Sequence, residues 1–307
     1  MSLEADMLAR LKAVARHPAA RGLADDAAVL GWPLGQDLVA THDMLAEGVH
    51  FTPDCPPADI GWKLAAVNLS DLAAMGARPV GALMGAGIGN ARGTDWAAEL
   101  LRGLMQCLDA YDTPLLGGDT IRSGPTSVLS LTALGQSAPG TALARSGATD
   151  ADDLWVSGTI GDAGLGLRIA QGGPGASALL KRYRRPTPRL ALGLALSGVA
   201  SAAMDVSDGL LIDAARLAAA SGLAADISAA AIPLSPDARA SGVPVAELAT
   251  LGDDYELIFA APPAARAKIE AAATQARTPI CRIGRLHAGA GLTLDGATPA
   301  ALGYQHR

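Results

Sequence analysis

The chain has 307 residues, of which 50% are hydrophobic and 3% are aromatic, and its formal net charge is −6 at pH 7. An acidic chain with few aromatic rings lacks the basic and stacking side chains of a nucleic-acid-binding surface. No uncharged apolar run approaches the roughly 18 residues that cross a membrane, and the start of the chain lacks the basic and apolar regions of a signal peptide. The sequence therefore predicts a cytoplasmic protein without a nucleic-acid or membrane partner.

The first half of the chain alternates predicted strands with predicted helices. An amphipathic helix is expected from Asp59, which could cap it, to about Met75, because apolar residues recur at helical spacing and Gly76 and Pro79 end the pattern. The other expected elements of this half are short strands at 26–32, 37–45, 80–88 and 127–136, a helix at 95–110 capped by Thr94, and a loop at Gly117–Thr120.

A stretch rich in small and polar residues, 137–153, precedes a second half in which strands and helices alternate again. We therefore expect two domains, at about 1–137 and 138–307, of the α/β or α+β class. The segment 181–189 is expected to be a basic loop that enters a helix ending near Leu196. Further expected elements are strands at 154–159, 202–206, 223–228, 255–261 and 279–286, helices at 163–171 and 264–274, and a helix ending at Ala220 that Ser207 or Asp208 caps.

Acidic residues stand at the ends of many predicted elements, often beside a glycine. One of them, Asp71, lies inside the opening helix, three residues after Asn68 and therefore on the same face. A single acid in such a place is commonly a cap, a turn residue or a solvated side chain, but this explanation requires a coincidence for the whole set. The set comprises Asp25, Asp26, Asp43, Asp71, Asp119, Asp205, Asp208, Asp253, Asp254 and Glu256.

If several of these carboxylates converge, they need protons or cations, because two of them about 4 Å apart repel by roughly 4 kcal/mol at an effective dielectric constant of 20. Oxygen ligands favour Mg²⁺, whereas the scattered Cys55, Cys107 and Cys281 fit no zinc spacing and are expected to be ordinary thiols. Carboxylates with Mg²⁺ indicate a phosphate substrate, usually a nucleotide. The chain has neither a GxxxxGK[ST] loop nor protein-kinase motifs, which disfavours the common ATP-binding folds.

Several segments carry a more specific signal because of their order along the chain. They are DDAAVL (25–30), THDMLAEGVHF (41–51), KLAAVNLSDLAAMGARP (63–79), LLGGDT (115–120), ALARSGA (142–148), VSGTIGDAGLGL (156–167), KRYRRPTPR (181–189), AMDVSDGL (203–210) and GDDYELIF (252–259). As a set they resemble the thiamine-monophosphate kinase family, part of the superfamily of aminoimidazole-ribonucleotide synthetase.

The resemblance implies a two-domain fold like that of aminoimidazole-ribonucleotide synthetase. The N-terminal mixed sheets of two copies would join into a barrel in a homodimer, and the C-terminal domain would be α/β. The implied activity is ATP-dependent phosphorylation of thiamine monophosphate to thiamine diphosphate, with direct transfer of the phosphoryl group assisted by several Mg²⁺ ions. The acceptor phosphate is already an anion at pH 7, so no catalytic general base is expected.

The resemblance also implies roles for individual residues. The implied metal ligands are Asp26, Thr41, Asp43, Asp71, Asp119, Asp205 and Asp208. The implied ATP contacts are Gly118, Asp119, Arg145 and Ser207, and the implied contacts to thiamine monophosphate are His50, Asp253 and Tyr304.

Three residues of this sequence depart from the pattern that is usual in the family. Ala24 stands where the family usually has Gly, His42 where it has a small hydroxyl residue, and Asp253 where it has Glu.

The alternatives are another ATP-dependent enzyme of the superfamily, a cyclising synthetase or a dehydrating maturation enzyme, and a nucleotide-binding module without catalysis. The complete set of acids argues against the last, and the absence of a reactive cysteine at either end of this sequence argues against the selenium-using and maturation enzymes.

Overall fold

The computed structural model describes residues 10–19 and 32–304, which form two compact units. The N-terminal unit takes the described part of Met1–Leu72 together with Arg78–Pro139. The C-terminal unit takes Ala73–Ala77 and the described part of Gly140–Arg307. Asp26 and nearly all of the predicted strand at 26–32 lie outside the described residues.

The N-terminal unit contains a mixed sheet of four strands, β1 (Asp37–Ala46), β2 (Arg78–Ile88), β3 (Leu115–Arg122) and β4 (Val128–Ser137). Their order across the sheet is β1, β4, β2, β3. β4 runs antiparallel to both of its neighbours, and β3 runs parallel to β2. The expected strands at 37–45, 80–88 and 127–136 are confirmed by β1, β2 and β4.

The prediction of a loop at Gly117–Thr120 is wrong, because these residues lie inside β3. The glycines serve close strand pairing instead of a turn. A Cβ atom on Gly118 would lie 2.1 Å from the carbonyl oxygen of Met84 on β2, so a side chain there could not fit without a backbone shift.

The N-terminal unit also contains the helices α1 (Pro57–Ala74) and α2 (Thr94–Ala110), and residues 10–14 are helical as well. Proline suits the first position of α1, since its fixed φ is helical and its missing N–H would have no intrahelical partner there. The expected amphipathic pattern of α1 is wrong, because residues 63–70 are all buried. The expected cap of α2 is also wrong: Gly93 precedes the helix without a side-chain cap, and Thr94 is its first residue.

The two helices cross at a pair of glycines. A Cβ atom on Gly61 of α1 would lie 2.0 Å from the carbonyl oxygen of Leu100, and one on Gly103 of α2 would lie 1.8 Å from that of Ala58. Each helix therefore contacts the backbone of the other directly, and no other residue type fits at the crossing without moving a helix.

The side chains of β1 alternate between the two faces of the sheet. Thr41, Asp43 and Leu45 lie on one face and are partly or fully buried, whereas Leu38 and Met44 lie on the other and are 54% and 53% exposed. The second face of β1 therefore presents two large apolar side chains that are exposed to solvent.

The C-terminal unit is built on a second mixed sheet with helices. Its strands are β5 (Asp153–Ser157), β6 (Ala202–Asp205), β7 (Leu223–Ile227), β8 (Leu257–Ala261), β9 (Ile280–Ala288) and β10 (Gly291–Leu294), in the order β10, β7, β9, β5, β8, β6. Its helices are α3 (Asp162–Ala170), α4 (Ser177–Arg184), α5 (Leu190–Leu196), α6 (Leu210–Ala220), α7 (Pro236–Ala240), α8 (Val245–Leu248) and α9 (Arg266–Gln275).

Most predicted elements of this unit are confirmed, with differences in the basic segment and in the shortest elements. Residues 181–184 of the expected loop belong to α4, because buried Leu179 and Tyr183 anchor that helix. The sequence did not indicate α7, α8 or β10, which have only four or five residues each.

The core of the C-terminal unit lies between α6 and its sheet. Leu210, Leu211 and Leu217 of α6 are fully buried against the apolar side chains of the strands, such as Ile258 of β8. Across both described segments of the chain, the structure has no helix with the length and apolar content needed to span a membrane.

Replacing Gly103 by Ala should lower the free energy of unfolding by about 1–3 kcal/mol, because the added methyl group forces α1 and α2 apart. Asp109→Ala, on an exposed position of the same helix, should leave the stability unchanged or slightly higher. Chemical denaturation of both variants measures the effect. Equal stability of Gly103→Ala and the original chain would contradict the close crossing.

Candidate active site

In the N-terminal unit, α1 brings two polar side chains against β1. The Thr41 hydroxyl donates a hydrogen bond to Asp71 Oδ2 at 2.5 Å, and the Asp43 N–H donates to Asn68 Oδ1 at 2.9 Å. The Asn68 amide is fully buried, and it is satisfied because its Nδ2 donates to the Leu64 carbonyl at 2.9 Å. The three-residue spacing of Asn68 and Asp71 thus places both next to consecutive inward-facing positions of β1.

Asp43 and Asp71 form a pair of like charges. Burial, reinforced by repulsion from the Asp71 carboxylate and by a hydrogen bond between the two carboxyl groups, raises the pKa of Asp43 to about 6. Two carboxyl groups and the Thr41 hydroxyl are hard oxygen ligands, which suit Mg²⁺. Mg²⁺ commonly takes only one or two protein carboxylates and completes its shell with water and phosphate oxygens, so this small group fits that ion.

His42, one of the departures from the family pattern, points away from this pair. Its Nδ1 lies 2.8 Å from Thr132 Oγ1 on β4, and its side chain is on the exposed face of the sheet. The imidazole therefore does not replace an oxygen ligand between Thr41 and Asp43.

His50 lies in the turn that follows β1. Its Nδ1 accepts a hydrogen bond from the Ala46 N–H at 3.1 Å, so a neutral ring carries its proton on Nε2. The buried Lys63 ammonium of α1 donates to the His50 carbonyl at 3.1 Å. The backbone and the ring orientation of His50 are thus both fixed by neighbouring groups.

Asp119 and Gly118 lie at the far edge of the same sheet. β3 is three strands away from β1, which is roughly 14 Å at the usual spacing of strands. The exposed Asp119 side chain accepts a hydrogen bond from the Thr120 N–H at 2.8 Å. Within residues 10–19 and 32–304, no group of three or more His, Cys, Asp or Glu side chains is placed to hold a metal ion.

In the C-terminal unit, the predicted residues Asp205, Ser207 and Asp208 lie where β6 ends. The N–H groups of Ser207 and Asp208 both donate to Asp213 Oδ2 at 3.0 Å, and the Arg216 guanidinium binds Asp208 at 2.5 Å and Asp213 at 2.8 Å. The expected capping role of Ser207 or Asp208 is wrong: Gly209 precedes α6, and the carboxylate that organises the turn comes from Asp213 inside that helix.

Two further predicted residues come to the same turn from distant parts of the sequence. The Asp253 N–H donates to the Ser207 carbonyl at 2.8 Å, and the Tyr304 N–H donates to the Asp208 carbonyl at 2.9 Å. Both hydrogen bonds join backbone atoms. The turn after β6 therefore fixes the backbone positions of Asp253 and Tyr304. The structure thus joins three of the sequence segments to which ATP, metal and substrate roles were attributed.

Arg145, the other predicted ATP contact, lies on a segment beside β6. The neighbouring Ala144 carbonyl accepts a hydrogen bond from the Ala203 N–H at 2.8 Å, and Arg145 itself is exposed. The pairing therefore places Arg145 next to the strand whose end carries Asp205.

Two buried acids beside Asp253 have specific partners that sequence reasoning missed. Asp254 accepts hydrogen bonds from the N–H groups of Gly161 and Ala163, at 2.6 and 3.0 Å, at the start of α3. Burial raises the pKa of Asp254 to about 7, although these hydrogen bonds act to lower it. Glu256 binds Arg182 and Arg189 from the KRYRRPTPR segment. The motifs GDDYELIF and KRYRRPTPR contain these residues, but their pairing depends on the tertiary structure.

Comparisons with known proteins identify the family. A family model for the AIR synthase related protein N-terminal domain matches residues 24–137, and the corresponding C-terminal model matches residues 151–296. Thiamine-monophosphate kinase of Caulobacter vibrioides is 40% identical over 321 residues, which cover 99% of this chain and 90% of that protein. The chain belongs to the thiamine-monophosphate kinase family.

Solved structures of thiamine-monophosphate kinases share the fold. The crystal structure of the Stenotrophomonas maltophilia K279a enzyme is 40% identical to this chain, covers 97% of both chains and has a TM-score of 0.84. A structure described as AaThiL complexed with AMPPCP and TMP is 29% identical, covers 92% of this chain and 91% of that chain, and has a TM-score of 0.80. The resemblance drawn from the motifs and the two-domain fold class are therefore both confirmed.

The raised pKa of Asp254 predicts a pH-dependent contribution to stability. Between about pH 4 and pH 7 the folded chain keeps a proton on Asp254 that the unfolded chain loses, so this group makes stability fall as pH rises, by up to about 1.4 kcal/mol per pH unit. The loss levels off above pH 7. Asp254→Asn, which cannot titrate, should show a smaller decline in the free energy of unfolding between pH 5 and pH 7.

Asp153→Asn is the control for this comparison. Hydrogen bonds from Arg266, with one from Arg282, lower the pKa of Asp153, so its titration lies below this window. The stability difference between Asp153→Asn and the original chain should not vary from pH 5 to pH 8. Equal pH slopes for Asp254→Asn and the original chain would show that Asp254 is ionised throughout.

Proposed function

We propose that this chain catalyses transfer of the γ-phosphoryl group of ATP to thiamine monophosphate, producing thiamine diphosphate and ADP. The observation that carries the proposal is the match to a family structure bound to AMPPCP, an ATP analogue, and TMP over 92% of this chain. The 40% identity to the Caulobacter vibrioides enzyme over 99% of this chain supports the same activity.

We propose Mg²⁺ as the metal, held in the N-terminal unit by Asp43, Asp71 and Thr41. The short contacts among these groups and the repulsion between the two carboxylates support a cation there, because a divalent ion relieves that repulsion. When bound, Mg²⁺ would neutralise charge on the transferring phosphates. Asp26, Asp119, Asp205 and Asp208 are proposed as further ligands on the family motifs.

The proposed ATP contacts combine backbone and cationic groups. Gly118 and Ser207 offer backbone atoms close to acids, and the exposed guanidinium of Arg145 suits phosphate oxygens, which it can bind through two N–H groups. Asp119 completes this set through the metal.

The proposed contacts to thiamine monophosphate suit its two ends. His50, with its ring proton on Nε2, can donate a hydrogen bond to a phosphate oxygen. Asp253 carries a carboxylate suited to the positively charged thiamine portion, and the half-exposed ring of Tyr304 offers an apolar surface.

The proposed chemistry needs alignment and charge neutralisation more than proton transfer. An acceptor phosphate is already a nucleophilic anion at pH 7, so no side chain has to remove a proton from it. Cations held in fixed positions beside the phosphates would lower the barrier, because their orientation is set before the reaction begins. The half-buried Asp43, whose N–H donates to Asn68, suits the role of a fixed ligand for such a cation.

We also propose that two copies associate through the exposed face of the N-terminal sheet. The half-exposed side chains of Leu38 and Met44 on β1 support this association, and Ile121 on β3 is 58% exposed. Leu38 and Met44 share one face of β1, and covering them with a second copy would remove their apolar surface from water.

The activity is tested by incubating the protein with ATP, Mg²⁺ and thiamine monophosphate and measuring thiamine diphosphate and ADP. Asp71→Asn should keep the fold, because an amide oxygen can still accept the Thr41 hydrogen bond. It should lower turnover at least about tenfold, equivalent to roughly 1.36 kcal/mol of barrier, because a charged ligand is lost. Asp109→Asn on exposed α2 should retain full turnover. Full activity of a folded Asp71→Asn variant would show that Asp71 is not a metal ligand in the active site.

The association is tested by analytical ultracentrifugation. Met44→Asp should shift the dimer to monomer, because a charge would be buried in an apolar interface. Leu194→Asp replaces another exposed apolar residue, 41% accessible and located on α5, and should leave the dimer intact. A monomeric original chain, or a Met44→Asp dimer of undiminished affinity, would contradict the proposal.

A further inference from the structure

The turn formed by residues 252–256, which carries the proposed substrate contact Asp253, has a strained backbone. Asp253 has φ of +71° and Tyr255 has φ of +50°. Side chains larger than glycine rarely adopt this left-handed region, and a bulky residue such as tyrosine does so least readily. Strain of this kind persists only where the surroundings enforce it, and it is concentrated at functional sites.

Backbone hydrogen bonds tie this strained turn to the end of β6. The N–H groups of Asp253 and Tyr255 donate to the carbonyls of Ser207 and Val206, both at 2.8 Å. The Val206 N–H in turn donates to the Glu256 carbonyl at 2.8 Å. The position of Glu256 therefore sets the alignment of the 252–256 turn with the residues that precede Asp208.

Glu256 itself is fixed by a fully buried carboxylate. Oε1 accepts hydrogen bonds from Arg182 at 2.7 Å and Arg189 at 2.6 Å, and Oε2 accepts from Arg189 and the Ser157 hydroxyl, both at 2.6 Å. A shift of this side chain would leave two guanidinium groups with poor access to water and without their partner, which is strongly unfavourable. The three partners come from β5, from α4 and from the segment before α5.

We propose that Glu256 is a positioning residue for substrate binding, which holds the 252–256 turn in its strained form and so fixes Asp253 relative to Ser207. This inference rests on the proposed function of Asp253. It also gives the KRYRRPTPR segment a structural role, because two of its arginines, Arg182 and Arg189, bind the Glu256 carboxylate. The carboxylate of Glu256 makes no contact with substrate in this role.

Asp153 supplies a matched comparison within the same sheet. It is also buried and also binds two arginines, Arg266 at 2.6 Å and Arg282 at 3.2 Å. It begins β5, where it pairs with Ala261 at the end of β8 that is distant from Glu256. Loss of this carboxylate removes a comparable ion-pair network and leaves the 252–256 turn untouched.

The test compares Glu256→Gln with Asp153→Asn in the full-length protein. Both variants should lose stability, but only Glu256→Gln should raise KM for thiamine monophosphate, by at least about fivefold, with kcat changed less than about twofold. Asp253→Asn should raise the same KM, since it removes the proposed contact directly. An unchanged KM in folded Glu256→Gln, or an equal rise in Asp153→Asn, would overturn the proposal.

A second measurement does not depend on the reaction. Hydrogen exchange at the amides of Asp253 and Tyr255 should be at least about tenfold faster in Glu256→Gln and unchanged in Asp153→Asn. Unchanged exchange in Glu256→Gln would overturn the positioning role even if the chain proves to be a kinase. Conversely, an original chain that does not phosphorylate thiamine monophosphate would refute the proposed function, and the exchange rates would still decide whether Glu256 holds the turn.

If Glu256→Gln does not fold, Arg189→Lys provides the same test. Lysine keeps the charge but cannot form the two parallel hydrogen bonds that a guanidinium makes with a carboxylate. It should therefore produce the same changes in KM and amide exchange to a smaller degree. Exchange and KM equal to those of the original chain would count against the proposal.

Discussion

A buried carboxylate needs a proton, a cation or several hydrogen-bond donors, and much of this structure follows from that requirement. The C-terminal unit buries Asp213, Asp254 and Glu256, and each solves the problem differently. Asp213 combines two backbone N–H groups with Arg216, Asp254 accepts two backbone N–H groups and has a raised pKa, and Glu256 binds two arginines. Together they fix the turn after β6 and the 252–256 turn.

In the N-terminal unit, two acidic side chains lie close together instead. Asp43 and Asp71 lie against each other, with the Thr41 hydroxyl and the Asn68 amide as neighbours. Burial and repulsion from the Asp71 carboxylate raise the pKa of Asp43 to about 6. The buried acids of the C-terminal unit are thus held by donors of the fold, whereas Asp43 and Asp71 form a like-charged pair that suits a cation.

The sequence was sufficient where a local pattern determines the structure. Apolar runs bounded by turn residues located β1, β2 and β4, and the spacing of Asn68 and Asp71 correctly placed both on one side of α1. Predictions from local pattern were wrong where contacts with residues far away in the sequence determine the structure. Gly117 and Gly118 suggest a loop until the proximity of β2 is known. Asp213, inside α6, organises the turn in which Ser207 or Asp208 was expected to cap that helix. The pairing of Glu256 with Arg182 and Arg189 spans more than sixty residues of sequence and has no local signature.

The glycine crossing of α1 and α2 has a consequence for Asp71. Gly61 lies ten residues before Asp71, which is about 15 Å along a helix. At the crossing, backbone contacts backbone, so the distance between the helix axes does not depend on the rotamer or size of any side chain. Substitutions among the leucines and alanines around α1 can therefore change local packing while the crossing still fixes the distance between the two helices. The crossing therefore fixes the start of the helix that carries Asp71, and the position of Asp71 beside β1 depends on that fixed point.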